Sequence, residues 1–269
     1  MTSDNWPPGP SDGSKPDGSA GWAVAPALPT RPPDPSDPAF PSAEQAMARQ
    51  IREQRAEDSL IGIKIGAELC YNKLIQLLGQ DRHGVRAELL IALPSMLAGF
   101  ACQAATWESL VVGQGYPVES VFIVADTQDG GQYPFSDPMN HLLLEDQYSV
   151  WGLIAAAAKA KGAESLPDME ELVTHVVRSI GTPAFGQPRL PSGLSLGGET
   201  PLELVRTGWE NFLPLLGLSC VIPEEWPALF AVAVQKAMEA ARQLIDPATA
   251  ATLAMECALP MAHLPMRRL

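Results

Sequence analysis

The chain has 269 residues, of which 46% are hydrophobic and 18% are charged, and its net charge is -13. This composition is typical of a globular protein with a well-buried core, and the acidic excess opposes binding to a phosphate backbone. The most basic cluster, Arg49, Arg52 and Arg55, alternates with acidic residues, which favours a solvated helix face. We therefore expect no nucleic-acid partner.

The first 41 residues are rich in Pro, Gly, Ser and Asp and hold 11 of the 26 prolines. Proline removes backbone donors and breaks helices, and large apolar side chains are too few here to build a core. The sequence therefore predicts a disordered tail over 1–41. The stretch GWAVAPAL at 21–28 is either a short docking motif or a scatter of apolar residues in a linker. No basic start precedes an apolar run, so we expect no signal peptide and a cytoplasmic location.

A single helical domain is predicted over 42–269. Helical periodicity begins near Ser42 and runs to Gly79, and a second long helix covers about 85–112. Within the second helix, 89–107 is uncharged and close to the length that crosses a bilayer. Pro94 and several polar residues interrupt it, and Glu rather than Lys or Arg closes its ends, which favours a buried core helix over a membrane span.

A single sheet signal follows near 119–135. ESVFIVA is rich in β-branched and aromatic residues, DTQDGGQ supplies a glycine-containing turn, and QYPF is a short returning strand. The predicted fold class is therefore mainly α, a multi-helix bundle with one small β-hairpin inserted between the second and third helices.

Proline-containing helix starts mark the rest of the chain. Asp137 is predicted to cap a helix that has Pro138 at its first position and ends near Gly162. Thr200 and Glu203 form a predicted capping box. The remaining helices are expected at 168–180, 201–216, 224–245 and 247–260, with a long Pro/Gly/Ser-rich loop at 182–199.

The best candidate site is the hairpin-to-helix junction, 126–146, where an apolar run, a turn, aromatics and a histidine among carboxylates meet. Phosphate-binding glycine loops, nucleophile elbows and HExxH motifs are absent from the sequence, and the four cysteines lie far apart. The candidate ligand-binding residues at the junction are Asp126, Asp129, Tyr133, Asp137, Asn140, His141 and Glu145.

Three of these residues, Asp137, His141 and Glu145, are four apart and share one helix edge. A histidine between two carboxylates fits a divalent metal or a tuned acid/base, and His175 is a candidate ligand from a second helix. The simpler interpretation is a helix cap beside an ordinary surface contact between His141 and Glu145.

We expect a non-catalytic binding or protein-interaction module with an unidentified protein partner, and we expect no cofactor. The absence of a catalytic motif, the acidic composition and the tail favour this class over an enzyme. Two alternatives remain open. One is a ligand- or metal-binding enzyme that uses the junction at 126–146, and the other is a membrane-associated protein that uses the helix at 89–107.

Overall fold

The computed structural model describes residues 28–38, 41–79, 85–128, 130–190, 194–196 and 200–265. Over these residues the fold is mainly α, with a two-stranded hairpin, which confirms the predicted fold class. The helices are α1 Ser42–Gln54, α2 Ile61–Leu78, α3 Ala87–Thr106, α4 Val118–Val121, α5 Asp137–Asn140, α6 Val150–Ala160, α7 Met169–Ser179, α8 Pro201–Ser219, α9 Glu225–Ala241 and α10 Pro247–Ala262. A π-helical segment, Trp107–Gly113, extends α3, and another, His141–Glu145, extends α5.

Helix α3 forms the centre of the fold. Every residue from 90 to 106 is buried, and α3 packs most extensively against α9 and α10. Of the described helices, only the one spanning Ala87–Gly113 is long and apolar enough to cross a membrane, and its most apolar window lies wholly inside the protein. A helix that is apolar on all sides is thus surrounded by other helices here.

The hairpin pairs β1 Ile123–Asp126 with β2 Gln132–Phe135 in antiparallel register, with Ile123 opposite Phe135. Gly130 in the turn has a φ of 78°, a value that glycine adopts without strain. The first part of the predicted strand is instead the single helical turn α4, so β1 begins only at Ile123. A hairpin near 119–135 is therefore confirmed, with a shorter first strand.

The predicted position of the hairpin between the second and third helices is wrong, because the expected helix over 42–79 is two helices. The Arg55 side chain, at the end of α1, forms an ion pair with Glu225. The Asp58 carboxylate accepts a hydrogen bond from the Leu60 amide at 3.0 Å. This local turn competes with the helix and ends it. Counting the described helices longer than one turn, the hairpin lies between the third and the fourth.

The helix predicted from Pro138 to Gly162 is also divided, at 146–149. Ser149 caps α6 by accepting a hydrogen bond from the Gly152 amide at 3.0 Å. The prediction that Asp137 caps the preceding helix is wrong, because Ser136 occupies the cap position and no side chain makes a cap bond there. The predicted capping box of Thr200 and Glu203 is confirmed.

Residues 28–38 of the predicted tail contact the helices, and we call this segment the strap. Leu28 is only 5% exposed and belongs to the main core, which extends along the chain to Leu264. The packed part of the chain thus begins before Ser42, the expected start of order. Residues 1–27 and most of GWAVAPAL lie outside the described residues, so disorder there stays a prediction. The described parts of the loop at 182–199 contain neither helix nor strand.

Candidate functional site

A cleft of about 150 Å³ lies at the hairpin-to-helix junction, between β2, the π-helical end of α5, α7 and the end of α10. We call it the junction cleft. Its walls are mainly apolar, and the polar groups that line it are Asn140, Glu145 and His263. The apolar and aromatic lining residues are Phe135, Leu143, Leu144, Val173, Val176, Val177 and Leu259.

His263 is the buried polar group of the junction cleft, with 8% of its surface exposed. Its Nδ1 lies 2.8 Å from the Pro134 carbonyl oxygen, and its ring centroid lies 4.7 Å from that of Phe135. Since a carbonyl can only accept, we assign the proton of the neutral ring to Nδ1, which leaves Nε2 as an acceptor. Burial lowers the pKa of His263, against a smaller raising effect of the Pro134 carbonyl, so the ring is neutral at pH 7.

Of the site residues predicted from the sequence, some line the junction cleft and others do not. Asn140 and Glu145 line the junction cleft. His141 faces solvent, with its ring nitrogens 3.7 Å from Glu145 Oε2 and 3.5 Å from Asp146 Oδ2. These distances are too long for hydrogen bonds, so His141 makes the surface contact of the simpler interpretation.

The side chains proposed as metal ligands do not lie together in the structure. Among the described residues, no group of three or more His, Cys, Asp or Glu side chains could hold a metal ion. Asp137 is exposed. His175 lies on α7 but does not line the junction cleft, although its neighbours Val173, Val176 and Val177 do. The four candidates Asp137, His141, Glu145 and His175 therefore do not converge.

The hairpin residues among the candidates have structural contacts. Asp126 accepts a hydrogen bond from the Gln132 amide group at 3.0 Å, across the hairpin. Tyr133 is 5% exposed and packs edge-on against Phe185, with 5.0 Å between ring centroids. This contact joins the hairpin to the loop after α7. Asp129 lies outside the described residues.

An ion cluster that the sequence analysis missed lies beside α7 and α10, and of its side chains only Glu256 is buried. Arg189, in the loop after α7, donates from Nε to Glu256 at 2.6 Å and from its terminal nitrogens to Glu171. Both carboxylates raise the pKa of Arg189. The Arg189 backbone amide also donates to Glu256, at 2.7 Å. The cluster fixes the loop to both helices, and the one local signal for it was a lone carboxylate in the apolar run of α10.

The strap forms the second arrangement with recognition chemistry. The indole N–H of Trp209 on α8 donates to the Pro29 carbonyl at 2.6 Å, and the Thr30 hydroxyl donates to the Glu108 carboxylate. Farther along, the Pro33 carbonyl lies directly over Gly217 of α8, where an added Cβ would stand 2.4 Å from that oxygen. An extended proline-rich segment held by an aromatic N–H and by close backbone approach resembles the way peptide-binding domains hold their ligands.

The comparisons with known proteins add no identity to this geometry. No protein-family model, no curated protein and no solved structure matches the chain. Within the described residues, two arrangements have recognition chemistry, the strap on α8 and the junction cleft.

Proposed function

We propose that the protein is a non-catalytic interaction module that binds extended, proline-rich segments on one face of α8. The proposal is supported by the contacts that hold the strap against α8 and the core. Its Leu28 side chain enters the core, its Pro29 carbonyl receives the Trp209 N–H, and its Pro33 carbonyl rests on Gly217. We call the surface under the strap the α8 face.

The sequence of the strap, LPTRPPDPSDP, suits this form of binding. Proline fixes φ, and a residue before proline is pushed towards extended conformations, so such a segment loses little backbone freedom when it binds. Residues 29–34 accordingly belong to neither helix nor strand. A partner with an apolar residue, a proline and a Pro-Pro pair at the same spacing would present the same side chains and carbonyl groups.

The α8 face has the complementary features. Trp209 packs edge-on against Phe100, with 4.8 Å between ring centroids, and this contact fixes the direction of the indole N–H. Gly217 leaves room for a backbone, because a side chain there would collide with Pro33 and Pro32. These contacts recognise an extended chain and break no bond, which supports a binding role rather than catalysis.

The strap occupies the α8 face in this structure, so a partner segment has to displace it. The strap competes within the same molecule, and its effective concentration is therefore high. We propose that partner binding is weak in the intact chain and strengthens when the strap is loosened. In this way the strap sets the affinity of the module.

A binding experiment with the full chain tests this proposal. Leu28→Ser and Thr30→Ala together weaken the strap and leave the α8 face intact. A labelled peptide of residues 28–38 is titrated against the parent and the double variant, with fluorescence anisotropy as the readout. We expect the peptide to bind the double variant about tenfold more tightly or better, since about 1.4 kcal/mol separates each factor of ten.

Variants of the α8 face provide the control. Added to the double variant, Trp209→Phe removes the N–H donor and Gly217→Ala obstructs the backbone, so each should weaken peptide binding. Trp151→Phe on α6, which lies away from the strap, is the matched tryptophan control and should bind as the double variant does. If the peptide fails to bind the folded double variant, or binds equally well after both changes on α8, the proposal is wrong.

A further inference from the structure

The size of the junction cleft, its apolar walls and the buried residue His263 together indicate which ligand it could bind. Its volume is about 150 Å³, and cavities of this size hold a benzene-sized molecule. Its side walls are aliphatic, from Leu143, Val176 and Leu259 among others. Nδ1 of His263 is directed at Pro134, so Nε2 points away from that carbonyl, and the described residues provide no hydrogen-bond partner for it.

We propose that the junction cleft binds one small neutral molecule with an apolar body of about benzene size and a single hydroxyl or N–H group, which donates to Nε2 of His263. The Pro134 carbonyl fixes the tautomer, and the contact with Phe135 fixes the plane of the ring. The ring of His263, which lines the cleft, is therefore held in one tautomer and one orientation. This inference is independent of the α8 face, because no residue of the strap lines the cleft.

The surroundings of the cleft select against other ligand classes. The Glu145 carboxylate at the rim is largely exposed and repels anions. A cation would find only that carboxylate, the Asn140 amide and one histidine, and the described residues contain no group of three or more His, Cys, Asp or Glu side chains suited to a metal. An apolar body with one donor provides a hydrogen-bond partner for Nε2 of His263 and removes apolar surface from water.

A matched pair of ligands tests the donor in the parent protein itself. Phenol and toluene have nearly the same shape, and only phenol donates a hydrogen bond. Binding is followed by NMR titration of the full chain and by the rise in melting temperature. We expect saturable binding of phenol, with toluene about fivefold weaker or more, as one neutral hydrogen bond allows. Because both ligands are measured on the parent, this comparison does not depend on any variant being folded.

Three variants then locate the site. His263→Phe removes the acceptor and should make phenol and toluene bind equally. Val176→Phe fills the cleft and should abolish binding of both. His175→Ala changes a histidine on α7 that does not line the cleft, and it should leave both affinities unchanged. Equal affinities in the parent, retained binding in Val176→Phe, or no saturable binding of phenol up to about 20 mM would each overturn the inference.

Discussion

At the scale of single residues, the surroundings of His263 determine its charge. Its ring is enclosed between the hairpin and α10, and burial disfavours the protonated form. Its pKa in the folded protein therefore lies below the ordinary value of 6.5. In the unfolded chain the same ring has water around it and takes up a proton more readily.

This difference predicts how stability depends on pH. Because the folded pKa is the lower one, the unfolded chain binds the proton first as the pH falls. The stability contributed by neutral His263 is present above about pH 6.5 and is lost as the pH falls through the folded pKa. We expect the urea midpoint to drop between about pH 7.5 and 5.5, and to drop less in His263→Phe. An equal slope in His263→Phe would contradict this account.

Two Asp-Pro steps offer a second test at this scale. Asp246, before Pro247, accepts hydrogen bonds from the amides of Ala248 and Thr249 at 3.0 Å each and caps α10. Asp137, before Pro138, makes no cap bond. Asp246→Ala should therefore lower the free energy of unfolding by about 0.5–2 kcal/mol, and Asp137→Ala by about 0.5 kcal/mol or less. Urea denaturation measures both, and equal losses would show that Asp137 also stabilises its helix.

At the scale of elements, the small residues of α3 set how closely its neighbours approach. A Cβ built on Gly99 would lie 1.9 Å from the Ala258 carbonyl oxygen of α10, which is backbone and cannot rotate away. On α8, a Cβ on Gly208 would lie 3.0 Å from a terminal methyl of Leu93, which can move. A side chain at Gly99 would therefore meet rigid backbone, whereas a side chain at Gly208 would meet a side chain that can move.

We therefore expect Gly99→Ala and Gly208→Ala to differ strongly. Gly99→Ala forces α3 and α10 apart and should cost about 3 kcal/mol, at the upper end of overpacking effects. Gly208→Ala should change stability by about 1 kcal/mol or less, because the higher helix propensity of alanine offsets the small rearrangement of Leu93. Thermal and urea unfolding of the two variants gives the comparison. Similar losses would mean that α3 and α10 are not in close backbone contact.

The sequence correctly predicted the elements that are determined by residues close to each other in the chain. The glycine turn of the hairpin and the Thr200–Glu203 capping box depend on neighbouring residues, and both are present. The break after α1 depends partly on the ion pair of Arg55 with Glu225, 170 residues away. A sequence pattern of short range contains no information on such a partner.

The same limit applies to the candidate site. Its place at the junction followed from the change from strand to helix, and Asn140 and Glu145 do line the cleft. His263 escaped notice because its partner carbonyl, that of Pro134, is 129 residues away. The metal hypothesis used residue types and helical spacing, and neither decides whether another element, such as α7 with His175, turns its histidine to the same point.

At the scale of the whole molecule, the strap connects the N-terminal segment to the core. Leu28 is buried among core residues, and Thr30 contacts Glu108 in the π-helical segment that extends α3. The Asp37 carbonyl accepts a hydrogen bond from Gln45 of α1 at 3.0 Å. Contacts near both ends of the strap, at Leu28 and at Asp37, thus attach it to the core and to α1.

Truncation tests this arrangement. A chain that starts at Leu28 should melt at the same temperature as the full chain, because the Pro/Gly/Ser-rich residues before it have too few large apolar groups to pack. A chain that starts at Pro41 should lose about 2–4 kcal/mol, from the exposed core under Leu28 and the lost bond of Trp209. Differential scanning calorimetry compares the three chains. Identical melting of all three would show that the strap contributes nothing to stability.

The packing of α3 also has a consequence during synthesis. The most extensive contacts of α3 are with α9 and α10, and roughly 120 residues separate the end of α3 from the start of α9. A ribosome that adds about 5–20 residues per second needs roughly 6–24 s to make that stretch. For this time the nascent chain displays an apolar helix of bilayer length without its partners. Holding factors at the ribosome exit, which shield apolar segments from aggregation and from mistaken delivery to a membrane, are therefore expected to govern the yield of folded protein in cells.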